Sequence, residues 1–167
     1  LLIILVFLVF IIKGFHDGIF KHERRNIIES DFNLEVLKKT NEFNDDNYLI
    51  SPYSMEVALS MLKDGANGDT KNQIERVIGN STPSIKNDSV HIANGIFIKD
   101  EYKDVINNQY VKQLQDNRGA QVLYDKFDTP TVINNWVKEN TKGMIPSIMD
   151  DISKDFVLGL ANAIAIR

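Results

Sequence analysis

Residues 156–166 read FVLGLANAIAI, an apolar run broken only by Gly159 and Asn162. The run reads as a strand buried on both faces, because neither face carries a polar alternation. Such a strand needs hydrogen-bonded neighbours on both edges, since backbone groups left unpaired away from water are unfavourable. It also needs packed layers above and below, so the rest of the chain must supply other strands and a cover of helices. The chain stops at Arg167, directly after this run. A domain seldom ends by exposing its most apolar strand, and further polypeptide is expected to follow.

The cover is legible upstream. Ser30 or Asp31 can cap a first helix on which Phe32, Val36, Leu37, Thr40 and Phe43 share one face. Residues 48–50 are a short, strand-like apolar run. Ser51 then stands as an N-cap, with Pro52 at the first helical position, where its missing N–H leaves nothing unsatisfied. The helix over 53–63 is apolar nearly all round, through Met55, Val57, Ala58, Leu59, Met61 and Leu62, and is predicted to be buried. Gly65-Ala66-Asn67-Gly68 stops it. Thr70 and Gln73 have the spacing of a capping box for the next helix, whose buried face is Ile74, Val77 and Ile78.

Beyond a polar loop over 80–88, residues 90–98 alternate, with Val90, Ile92, Ile96 and Ile98 on one face. On local chemistry alone, Asn94-Gly95 in the middle predicts a type I′ hairpin. Tyr102, Ile106, Tyr110 and Leu114 predict a helix over 102–117, closed by Gly119. Residues 120–127 read as another strand. Thr129 caps a further helix beginning at Pro130, with Val132, Ile133, Trp136 and Val137 as its apolar face and Gly143 at its end. Residues 145–154 read as a loop with a short helical turn. Helices and strands are interspersed, so the fold class is α+β.

The first twelve residues, LLIILVFLVFII, are continuously apolar and end at Lys13. A comfortable membrane span needs about 20 residues. The run fits the apolar region of a secretory signal, although no initiating Met or basic segment precedes it and no small-residue cleavage site follows. Residues 1–25 are therefore assigned to a leader or membrane anchor plus linker, and residues 26–167 to the folded part. The expected location is secreted, or anchored at the cell surface through Leu1 to Ile12. The competing reading of this run is a buried strand or helix.

Composition narrows the function classes. A net charge of −4 gives no reason to expect nucleic acid or an anionic membrane surface as partner. The chain has no cysteine, which excludes disulfides, a Cys nucleophile and thiolate metal sites. No phosphate-binding glycine loop, G-x-S-x-G or H-E-x-x-H occurs. His16 and His22 sit near Asp17 and Glu23 in the linker, and His91 falls in a strand. That scatter suggests neither a metal site nor a base for an activated serine. No enzyme, cofactor or metal is expected. Two N-x-[ST] triplets, at Asn80 and Asn87, are acceptor sites only in a eukaryotic secretory pathway.

Five blocks, in order, resemble the serpins. They are Ile50-Ser51-Pro52-x-Ser54 with Ala58-Leu59-x-Met61-Leu62; Gly65-Ala66-x-Gly68-x-Thr70 with Gln73-Ile74; Ala93-Asn94-Gly95-Ile96-Phe97; Ile133-Asn134-x-Trp136-Val137 with Thr141-x-Gly143; and Leu160-Ala161-Asn162-Ala163-Ile164. The resemblance covers residues 31–166. Met144 departs from it, standing where the family usually has Lys.

The resemblance implies a partial serpin fold, with N-terminal helices packed on strands of a large central sheet. It implies one uninterrupted strand through Asn94-Gly95, in place of the hairpin. It implies a monomeric inhibitor whose partner is a serine or cysteine protease. In the family an exposed loop near the C-terminus is cleaved and inserts into the sheet as a new strand, and that loop is not in this chain. Positions matching Ser51, Ser54 and Asn162 cluster beneath the sheet where it opens. Their chemistry suits that role, because an amide in an apolar strand must find partners and nearby hydroxyls can supply them. Pro52, Gly65, Gly68, Thr70, Asn94, Trp136, Thr141 and Gly143 are implied to be structural. The alternatives are a non-inhibitory relative acting as a binding or chaperone-like module, and an unrelated membrane-anchored structural protein.

Overall fold

The computed structural model describes residues 2–10, 32–43, 50–79 and 90–166. In chain order the elements are β1 (Leu2–Phe10), α1 (Phe32–Phe43), α2 (Pro52–Gly65), α3 (Gly68–Ile78) and β2 (Val90–Lys99). A 3₁₀ turn (Asp100–Tyr102), α4 (Asn108–Arg118), β3 (Gln121–Asp125), α5 (Thr131–Asn140) and β4 (Leu158–Ile166) follow. The four strands form one sheet in the order β1-β4-β2-β3. β4 runs antiparallel to both of its neighbours, with Asn162 opposite Val6 on one side and Asn94 on the other. β2 and β3 are parallel.

The buried strand read at 156–166 is β4, and it has a neighbour on each edge. Two cores lie on its two faces. Beneath the sheet, Ile96, Ile98, Leu158 and Leu160 pack against Val57 and Met61 of α2 and Val111 and Leu114 of α4. Above it, Ala93, Phe97, Ala161 and Ala163 pack against Ile133, Trp136 and Val137 of α5, with Phe127 and Phe156. Each fully buried Leu or Ile in these layers contributes about 1.5–3 kcal/mol of apolar burial.

Several local expectations shift. Asn94-Gly95 lies inside β2 and makes no hairpin, because both residues are held by tertiary contacts described below. Residues 103–107 are not α-helical; the side chain of Asn107 accepts from the backbone N–H of Gln109 (2.8 Å) and Tyr110 (3.4 Å), so α4 begins there. Tyr102, Ile106 and Tyr110 still pack on the lower core. Thr70 lies in the first turn of α3, whose N-cap is Asn67, so the Thr70–Gln73 capping box does not form. The cap of α5 is Pro130 rather than Thr129, whose hydroxyl bonds that of Thr131. Leu37 and Val77 are exposed. Met55, Leu59 and Leu62 of α2 are only partly buried, so that helix is not enclosed on every side.

Residues 2–10, read from sequence as leader or anchor, stand as β1 against β4. Among the described residues no helix is long and apolar enough to cross a membrane. The expected cap of α1 at Ser30 or Asp31, most of the apolar run at 48–50, the sequons at Asn80 and Asn87, and His16 and His22 lie outside the described residues.

Candidate functional site

The site grows from strand alternation. Asn162 and Asn94 face each other across the β2–β4 pairing. Alternation puts them on the same face as Ile96, Ile98 and Leu160, the face that α2 and α4 cover. Asn162 is fully buried and Asn94 nearly so. The Nδ2 of Asn162 donates to Oδ1 of Asn94 at 2.8 Å. The Nδ2 of Asn94 donates to the backbone carbonyl of Arg118, the last residue of α4, also at 2.8 Å. A hydrogen-bonded amide pair thus links the two central strands in addition to their backbone ladder.

Ser51 and Ser54 come from the start of α2. The Oγ of Ser51 accepts the N–H of Ser54 at 3.2 Å, the N-cap expected of it, with Pro52 following. Both serines are buried. The structure sets the start of α2 and Asn162 in neighbouring layers but does not join them by a hydrogen bond. The Oγ of Ser54 and the Oδ1 of Asn162 are both buried without a hydrogen-bond partner among the described residues. An unsatisfied buried polar atom is unfavourable by about 1–3 kcal/mol.

The opposite face is closed by α5. Trp136 lies on Gly95, where an added Cβ would stand 3.0 Å from its ring. Its Nε1 donates to Oε1 of Gln121 on β3 at 2.6 Å. Trp136 also meets Phe97 edge-on, with ring centres 5.5 Å apart. Thr141, fully buried, donates to the carbonyl of Val137 (2.8 Å) and accepts from the N–H of Ile145 (3.1 Å), joining the end of α5 to the next segment. Gly143 stands at φ 79° in that turn and Gly68 at φ 56° as the first residue of α3. Gly65 meets the ring of Tyr110, 2.8 Å from where a Cβ would be. Met144 is exposed, consistent with a surface departure.

Three participants were not singled out from sequence. Asn134 donates to the carbonyl of Met149 (2.8 Å) and accepts from the N–H of Ile148 (2.9 Å) and Met149 (3.3 Å). Arg118 pairs with Asp64 of α2, its Nε and Nη2 lying 3.2 and 3.0 Å from Oδ2. An available signal was the amide placed among apolar residues, which marks Asn94 and Asn134 as it marks Asn162. Among the described residues, no group of three or more His, Asp or Glu side chains could hold a metal.

The family model described as Serpin (serine protease inhibitor) matches residues 28–167. The chain belongs to the serpin family. It is 27% identical over 152 residues to alpha-1-antiproteinase S of Cavia porcellus, covering 77% of this chain and 37% of that protein. It is 30% identical over 124 residues to serine proteinase inhibitor 1 of Variola virus, covering 65% and 33%. Among solved serpins, the thermophilic serpin tengpin in its latent state superposes with a TM-score of 0.69 at 32% identity, over 86% of this chain and 45% of that one. This serpin chain therefore spans about a third to under a half of the length of these relatives.

Proposed function

We propose that this serpin chain is the N-terminal part of a suicide-substrate inhibitor of serine proteases, with cysteine proteases as a second possible target class. In this reading Ser51, Ser54 and Asn162 form the polar cluster that exchanges partners as strands of the sheet move apart. The observation that carries it is the Asn162–Asn94 pair beside two buried, unsatisfied polar atoms. Such a polar cluster can trade one hydrogen bond for another, whereas a close-packed apolar seam must lose contacts outright before it parts. The protein acts as a monomer. It is exported, the apolar segment at residues 1–12 serving as leader or surface anchor.

The test uses the complete reading frame that contains this chain, incubated with trypsin-, chymotrypsin- and elastase-like proteases. A covalent complex stable in SDS, with the protease silenced, is the expected result. We propose that the 167 residues alone form no such complex. Cleavage of the complete protein without complex formation across the panel would instead assign the non-inhibitory reading.

A further inference from the structure

We infer that residues 2–10 are an internal guard strand for the outer edge of β4: while they are paired there no other strand can add to that edge, and their withdrawal opens it to an extended apolar peptide. The pairing stands independently of protease inhibition. Its link to export rests on the reading of the same segment as leader or anchor. β4 has β2 on one edge and β1 on the other. Both ladders are continuous and antiparallel. One joins Val90–Ile98 to β4, and the other runs from Leu2 opposite Ile166 to Phe10 opposite Leu158.

The two edges are held differently. β2 is locked in place: it pairs with β3 on its far side, contributes Ile96 and Ile98 to the lower core and Phe97 to the upper, and bonds Asn162 through Asn94. β1 is the outermost strand of the sheet and pairs with β4 alone. Its sequence, LIILVFLVF, has no proline, glycine or charge, and six of its nine residues are Ile, Val or Phe, types that favour extended backbone. In antiparallel pairing, alternate residues of β4 turn their N–H and C=O toward β2, and the residues between turn theirs away from it. Without β1 that second row has no strand partner, and such an edge is a template for another chain. Main-chain hydrogen bonds would supply the affinity of an added strand, and the apolar layers on either face of β4 select an uncharged, apolar one. Pairing with β4 and residence in a bilayer exclude each other. Export or anchoring of residues 2–10 therefore withdraws the guard and leaves the edge open.

The test is residue-resolved amide hydrogen exchange on the 167-residue chain and on Val6→Pro, without membranes. Val6 lies opposite Asn162 at the middle of the ladder, and proline there removes a donor and disfavours pairing. In the native chain alternate amides of residues 3–9 are expected to be protected by at least about a hundredfold over an unpaired chain. In Val6→Pro, alternate amides of residues 159–165 should exchange about tenfold faster or more, while those between them, bonded to β2, stay slow. A peptide of sequence LIILVFLVF with a lysine tail for solubility should restore slow exchange in the variant and leave the native chain unaffected. Unprotected amides at residues 3–9 of the native chain would overturn the proposal without recourse to any variant. Acceleration shared equally by both sets of β4 amides, unchanged exchange in the variant, or no restoration by the peptide would overturn it as well. Neither a protease nor a membrane enters the measurement, so its failure is distinct from a failure to trap a protease or to export the chain.

Discussion

Trp136 lies on Gly95 so closely that any side chain at residue 95 would push against the indole, its Cβ only 3.0 Å from two ring atoms. The contact fixes α5 against the centre of the sheet, and the bond from Trp136 to Gln121 fixes the direction of the ring. Gly95→Ala should therefore act by overpacking. The expected loss is about 1–3 kcal/mol, because neither the strand nor the indole can move without disturbing the aromatic group around Phe97. Chemical denaturation with tryptophan fluorescence checks both the loss and the altered indole environment, since this is the only tryptophan in the chain. Unchanged stability would mean that α5 rides more loosely on the sheet than the contact suggests.

The amide pair between Asn162 and Asn94 makes a prediction of a different form. Asn162→Leu leaves the Oδ1 of Asn94 buried without a donor, and should destabilise the protein by about 1–3 kcal/mol. Replacing both residues by Leu removes donor and acceptor together and should recover part of that loss. Recovery should be incomplete, because the carbonyl of Arg118 then loses its donor. A double-mutant cycle in urea gives the coupling energy, and strict additivity of the two single effects would contradict the pairing.

Asn134 fastens the segment after α5 to the helix through three backbone contacts. Asn134→Ala should release Ile148 and Met149 while leaving β2 and β4 intact. Their amides should exchange faster by one to two orders of magnitude, about 1.5–3 kcal/mol of local protection, whereas Ile96 and Leu160 stay protected. Asn134→Asp keeps an acceptor for both N–H groups and should retain part of the protection. Protection lost equally at Ile96 would show a global effect rather than a fastening one.

The gross architecture was legible because it depends on period and composition. The run at 156–166 specifies a doubly covered strand wherever it sits, and Ser51-Pro52 specifies a helix start by chemistry local to four residues. The errors arose where a tertiary contact outweighed a local rule. Asn94-Gly95 has the composition of a turn, but Asn94 is held by Asn162 and Arg118 while Gly95 lies under Trp136, so the strand continues. The spacing of Tyr102, Ile106 and Tyr110 satisfies a helix, yet Asn107 caps α4 and breaks the period while all three rings and side chains still reach the lower core. Arg118 escaped notice because its part is played by a main-chain carbonyl, which no residue type advertises, and because Asp64 lies 54 positions away.

Tyr110 gives a prediction in pH. Its hydroxyl donates to the carbonyl of Met61 at 3.1 Å. Burial pushes its pKa well above the ordinary tyrosine value, and the nearby Asp64 carboxylate adds to the shift. A raised folded-state pKa means that the folded protein prefers the protonated phenol more strongly than the unfolded chain does. The resulting stability is fully present below about pH 10, the pKa of an unfolded tyrosine, and is lost as pH rises toward the folded value. Tyr110→Phe loses the hydrogen bond, about 1 kcal/mol at neutral pH, but also loses this alkaline penalty. The gap in Tm between the native chain and the variant should therefore shrink above about pH 10 and then reverse. In the same range, absorbance of the native chain at alkaline pH should show one of its five tyrosines still protonated after the exposed ones have ionised. A gap in Tm that stays constant from neutral to strongly alkaline pH would show that Tyr110 is not held in its protonated form.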